Sequence, residues 1–177
     1  MYLIVNALGF QAGWWACVLG VVHGYETAGL LFCGLLVLTH LFWVGPARQE
    51  MQLALVALLL GIAIDTLLQF FKVIHFEGRA WGVLSPFWLW MLWILFALTL
   101  NSSLAFLKRL PLRVAAAAGL VFGPLSYLAG AALGAALLHR SFFELSILAL
   151  AWTLALPVLV WTAQKISTDT KVVHDEP

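Results

Sequence analysis

The sequence predicts an all-α polytopic membrane protein of six transmembrane helices with both termini in the cytoplasm. Three observations carry this expectation. The 177 residues are 64% hydrophobic and only 10% charged, with a mean hydropathy of +1.02, whereas soluble domains carry about 25% charged residues. Six apolar runs each approach the ~20 residues that a helix needs to cross a hydrocarbon core. The connections between those runs distribute their basic residues unequally.

The first span covers about Leu3–Val22 and closes at His23-Gly24-Tyr25-Glu26. No Lys or Arg precedes it, and Asn6, Gln11 and the pair Trp14–Trp15 interrupt it. A signal peptide needs a basic n-region and a shorter clean core, so this run reads as a retained helix. The second span, Thr27–Val44, and the third, Met51–Phe71, are separated by a Gly45-Pro46 turn and the polar run to Glu50. Residues Lys72 to Ser85 form the longest connection. Pro86 then opens the fourth span, Pro86–Leu107, where its missing N–H costs nothing.

The fifth span, Val114–Leu138, is rich in small residues. Gly119/Gly123 and Gly130/Gly134 are small-xxx-small pairs that let helix backbones approach closely in lipid. A central place in the bundle is expected for this helix, loosened at Pro124. Ala12/Ala16 and Gly20/Gly24 give the first helix a weaker version of the same pattern. The sixth span, Phe142–Gln164, follows His139-Arg140-Ser141. Residues 1–164 thus form one transmembrane domain and 165–177 a polar cytoplasmic tail.

Orientation follows from charge. Arg48, Lys108, Arg109, Arg113, Lys165 and Lys171 fall on the side of the termini, against Lys72, Arg79 and Arg140 on the other. The side richer in Lys and Arg is expected to be cytoplasmic. Nine tryptophans are present. Trp43, Trp81, Trp88, Trp90 and Trp161 lie near span ends, as an interfacial belt would. Trp14, Trp15, Trp93 and Trp152 lie deeper, suited either to packing or to lining a pocket.

Asp65 is the residue that most needs a reason. It sits within MQLALVALLLGIAIDTLLQFF, where a carboxylate costs about 2.5–3.5 kcal/mol on insertion scales unless it finds a partner. Gly61, Asp65 and Gln69 follow at intervals of four, with Lys72 three further on, so they share one helix face. Depth along the spans places Asn6, His40 and Asn101 in the cytoplasmic half and Gln11 and Tyr127 near the middle. Asp65 and Gln69 fall in the outer half. Facing inward, these groups would form a polar column, since buried polar side chains in lipid seek one another. Lys72, Arg79 and Arg140, with His75 and Glu77, would form a charged outer mouth. Three roles remain open for Asp65: a pin between helices that accepts hydrogen bonds from Gln69, Tyr127 or an indole, the inner end of an outward-facing ligand pocket, or a proton-exchanging group.

Chemistry is otherwise sparse. No H-E-x-x-H, nucleotide-binding loop, nucleophile elbow or cysteine pair occurs, so no motif supports an enzyme. No cofactor or metal is expected. The formal net charge of +1 argues against nucleic acid. Cys17 and Cys33 fall in apolar runs and read as small packing residues.

Four segments carry a resemblance. They are Asn6 to Gln11; Gly61 to Asp65; Pro86-Phe87-Trp88-Leu89 through Ser103-Leu104; and Gly123-Pro124-Leu125-Ser126-Tyr127 to Gly130. Together they resemble a family of small bacterial inner-membrane proteins known as a domain of unknown function. Its genes often neighbour cyclopropane-fatty-acid-synthase-like genes. The resemblance implies a bacterial inner membrane, membrane lipid as partner and a link to lipid-modifying proteins. It supplies no catalytic residue. The leading expectation is a six-helix protein that binds or helps modify membrane lipid. The alternatives are the substrate-binding component of a vitamin-type uptake transporter, docked through Ala12/Ala16, and a structural scaffold.

Overall fold

The computed structural model describes residues 2–43, 47–139 and 141–174, with side chains to Ser167. Among these it contains α1 (Tyr2–Val22), α2 (Glu26–Trp43), α3 (Ala47–Phe70), α4 (Phe87–Leu100), α5 (Leu112–Leu133) and α6 (Phe142–His174). A 3₁₀ helix spans Ala105–Arg109, and two short strands, β1 (His75–Phe76) and β2 (Ala136–Leu137), pair antiparallel. The fold is all-α, and α1, α2, α3, α5 and α6 are each long and apolar enough to cross a membrane.

The helix ends follow from local chemistry. α1 stops at Gly24, whose φ of +78° only glycine adopts freely. α3 ends at Lys72 in the same left-handed region, φ +58°. There Val73 N–H reaches back to Leu68 O and Lys72 N–H to Gln69 O, a Schellman-type closure. α5 ends at Gly134, φ +96°, rather than continuing to Leu138, and β2 follows. α6, by contrast, runs past Gln164 to His174.

Two expectations are corrected. The fourth span is not one helix to Leu107. α4 has 14 residues, about 21 Å at 1.5 Å per residue, short of a ~30 Å hydrocarbon core. It yields at Asn101-Ser102-Ser103 to a turn and then the 3₁₀ helix. That break is tolerated because it is buried in protein: Asn6 Oδ1 accepts from the Ser103 N–H at 3.2 Å and its hydroxyl at 2.6 Å.

The central helix is α4, not α5. Eight of the 14 residues of α4 are buried, and it packs against α1, α2, α3 and α6. α5 lies mainly on α6 and touches α1 only slightly. Its small residues explain both facts: Gly119 and Gly123 let α6 come close, but Gly130 presents no packed neighbour to a Cβ.

The helices alternate in direction. One end of the bundle gathers Tyr2, His40, Glu50, Ser102 and Lys108. The other, the hairpin end, carries β1, β2 and the Glu26–Arg79 contact.

Candidate functional site

The site is built on two glycines. Gly61 lies one turn before Asp65 on α3, and a Cβ there would stand 2.2 Å from the Trp93 ring. Its absence lets the Trp93 indole of α4 lie flat against α3. From there Trp93 Nε1–H donates to Asp65 Oδ2 at 2.8 Å. On its other face Trp93 stacks on Trp152 of α6, centroids 4.7 Å apart and planes 9° from parallel. Trp152 in turn rests on Gly123 of α5, where a Cβ would again fall 2.2 Å from the side chain. Gly119, one turn earlier, admits the Trp152 carbonyl. A glycine–indole–indole–glycine stack thus ties α3, α4, α6 and α5.

Tyr127, one turn beyond Gly123, closes the circuit. Its hydroxyl donates to Asp65 Oδ1 at 2.5 Å. Asp65 is fully buried, with both oxygens engaged by these two donors. The Tyr127 and Trp152 rings meet edge-on, centroids 6.4 Å apart, and the buried Trp152 indole nitrogen completes no hydrogen bond among the described residues.

This stack forms part of the floor of a groove of about 400 Å³ between α1, α4 and α5. Phe10 and Trp14 wall it from α1, Phe122 and Ser126 from α5. Phe76 and Ala136 close it at the hairpin end, and Leu104 and Leu107 at the other. The lining is almost wholly apolar. Tyr127 and Trp152 face the groove, whereas Asp65 stands behind Trp93 and Tyr127 and does not line it. The carboxyl group is therefore not the open inner end of a pocket.

The remaining polar residues do not form one column. Gln69 accepts from the Phe76 N–H at 3.3 Å and so anchors β1, without bonding Asp65. Lys72 is exposed. Gln11 lies exposed on the surface of α1. Asn101 accepts from Lys108 Nζ at 2.7 Å. Arg79 is tied to α2: Glu26 accepts from its backbone N–H at 3.0 Å and from Nε at 3.2 Å, and Nη2 donates to Thr27 at 2.7 Å. Glu26 thereby pairs with Arg79, and His139 Nδ1 lies 3.5 Å from Glu144 Oε1. Arg140 lies outside the described residues.

His40 belongs to a second, separate cluster. Its Nε2 lies 3.5 Å from Glu50 Oε2, and its Nδ1 3.4 Å from both Tyr2 Oη and Asn6 Nδ2. Tyr2 also meets Ser102 Oγ at 2.8 Å. The contact between His40 Nε2 and Glu50 Oε2 completes no hydrogen bond among the described residues. Glu50, Tyr2 and Ser102 were not singled out by sequence. Glu50 was assigned to a loop, but α3 begins at Ala47 and carries it into the bundle, 4% exposed.

Trp93 and Trp152 were legible as deep tryptophans, but their pairing was not. The signal that points to it is glycine on facing helices, Gly61 and Gly123, each one turn before a buried hydroxyl or carboxyl group. The first-helix pair Ala12/Ala16 is divided: Ala12 is exposed, while the Ala16 carbonyl packs against Gly29 of α2.

Comparison with known proteins gives one match. A family model described as "Protein of unknown function (DUF2878)" matches residues 3–158. No curated protein and no solved structure matches the chain.

Proposed function

The chain belongs to that family of unknown function, and we propose that it is a multi-pass protein of the bacterial inner membrane that holds the apolar chain of a membrane lipid. The groove between α1, α4 and α5 is the holding site. The observation that carries this reading is the open, aromatic-walled groove beside a helix pair, α1 and α5, that scarcely touches. Its α5 wall runs from Ala118 to Gly130, about 18 Å along the helix at 1.5 Å per residue. Its volume of about 400 Å³ falls in the range of ~300–1,000 Å³ typical of ligand sites.

Within a bilayer the apolar segments at hand are lipid chains. An open slot with an almost wholly apolar lining accepts such a chain without desolvating polar groups. The engaged state of Asp65 also fits: its role is to hold the floor of the groove rigid, not to meet the ligand. The basic residues Lys108, Arg109 and Arg113 favour placing the termini in the cytoplasm and suit contact with anionic head groups. A lipid held in this way is positioned for modification by a partner enzyme in the same membrane.

Native mass spectrometry of the protein in mild detergent tests the reading. A phospholipid adduct is expected on the wild type. Gly130→Leu, where a new side chain meets no protein atom within 4 Å of its Cβ, and Ser126→Trp should each reduce that adduct several-fold without lowering thermal stability. A lipid-free wild type of intact fold, or undiminished adducts on both variants, counts against it.

A further inference from the structure

Cys17 of α1 and Cys33 of α2 face each other across the interface of those helices, Sγ to Sγ at 3.4 Å. Both are free thiols and fully buried, at 1% and 0% exposure. The backbones around them are unusually close. A Cβ at Gly29 would stand 2.5 Å from the Ala16 carbonyl oxygen, and one at Gly13 would touch Cys33 Sγ at 3.4 Å. Cys33 Sγ also lies 3.4 Å from the Gly13 carbonyl oxygen, which orients it along the interface. Packing alone asks only for small side chains at this crossing. It does not ask for two sulfurs on different helices in mutual contact.

We propose that Cys17 and Cys33 are a redox pair that closes into an interhelical disulfide. Closure brings the sulfurs from 3.4 Å to about 2.05 Å. Two S–H bonds break and one S–S bond forms, and two protons and two electrons pass to the oxidant. Exchange with a protein disulfide requires direct access to an attacking thiolate, which burial of both sulfurs denies. The oxidant is therefore a small membrane-soluble acceptor of two hydrogens, of the quinone or azo class. The bond joins α1 to α2. Since α1 supplies Phe10, Trp14 and Val18 to the groove, the redox state sets how freely that wall moves against its neighbour.

The test uses the full chain in lipid nanodiscs treated with diamide, an azo compound that takes up both hydrogens. The protein is then denatured with excess N-ethylmaleimide and weighed intact. Untreated protein should take up two maleimides. Diamide-treated protein should take up none, migrate as a monomer without reductant, and regain both sites after dithiothreitol. Cys17→Ser should keep its one remaining thiol through the treatment. Two maleimides on the oxidised wild type overturn the proposal. So does oxidation that proceeds through cross-linked dimers, or equal thiol loss in Cys17→Ser.

Discussion

Trp93 donates its indole N–H to Asp65 Oδ2 at 2.8 Å, and this one bond ties the acid of α3 to the central helix. Tyr127 adds the second donor from α5. Asp65 is thus a joint between three helices. In lipid a buried donor left without an acceptor has no water to turn to, so the acid and its two donors are mutually required. Of the three roles open to Asp65 from sequence, the geometry favours the pin.

Replacing Asp65 should therefore reveal its two donors. Asp65→Leu leaves the Trp93 N–H and the Tyr127 hydroxyl buried and unpaired, at about 1–3 kcal/mol each. A loss of roughly 2–6 kcal/mol is expected on summing those two penalties. Asp65→Asn retains one acceptor oxygen and should lose about half as much. Unfolding in mixed detergent micelles, followed by tryptophan fluorescence, measures both. An Asp65→Leu protein as stable as the wild type would refute the pin.

The two helical glycines Gly61 and Gly9 should respond in opposite directions. At Gly61 an added Cβ would meet the Trp93 ring at 2.2 Å. The indole must then move, breaking both its stack on Trp152 and its bond to Asp65. Gly61→Ala is expected to cost several kcal/mol, about the 1–3 of overpacking plus the lost hydrogen bond. At Gly9 a Cβ meets nothing within 4 Å, so Gly9→Ala should gain up to about 1 kcal/mol from helix propensity. Thermal unfolding of the two variants side by side decides the matter; equal effects would mean that Trp93 does not lie on Gly61.

The six helices and the oddity of Asp65 were legible because they depend on residues adjacent in sequence: apolar run lengths, the polar breaks between them and one acid among leucines. What was not legible depends on pairs far apart in the chain. Tyr127 and an indole were among the candidate donors to Asp65, but nothing in the sequence chooses them over Gln69 or picks Trp93, since the Tyr127 bond bridges 62 positions and the Trp93 bond 28. The end of α4 at Leu100 was overlooked because apolar residues resume at Leu104-Ala105-Phe106, past the polar Asn101-Ser102-Ser103 where the helix yields. Small-residue content marked α5 as a packing helix, yet such content serves one close neighbour as well as several. The polar column failed for a related reason. Depth from helix counting gives height along the bundle and says nothing of azimuth, so Gln11 fell on the exposed surface of α1, while Gln69, on the face of Asp65, turned to the Phe76 N–H instead.

Lys72 offers a stabilising change. Its φ of +58° closes α3 in a conformation that costs a non-glycine residue about 1–2 kcal/mol. Its side chain is exposed and makes no hydrogen bond or ion pair among the described residues. Lys72→Gly should raise stability by about 1 kcal/mol, the relief of strain less the added freedom of the unfolded chain. The comparison variant, Lys72→Ala, removes the same charge and keeps the strain. An equal gain in both would assign the effect to charge, and no gain in Lys72→Gly would refute the backbone strain.

The Glu26–Arg79 contact predicts an asymmetry. Glu26 is only 10% exposed at its side chain, while Arg79 is 60% exposed. The carboxylate accepts from the Arg79 backbone N–H as well as from Nε. Glu26→Ala removes the acceptor for both and frees the connection that presents Ile74 and Phe76 to the groove. Arg79→Ala leaves the backbone bond in place and loses only a solvent-screened pair, about 0–1 kcal/mol. Glu26→Ala should cost about 1–3 kcal/mol and raise hydrogen exchange across residues 73–85, with Arg79→Ala close to wild type in both. Equal exchange in the two variants would show that the guanidinium, not the backbone of Arg79, holds the connection to α2.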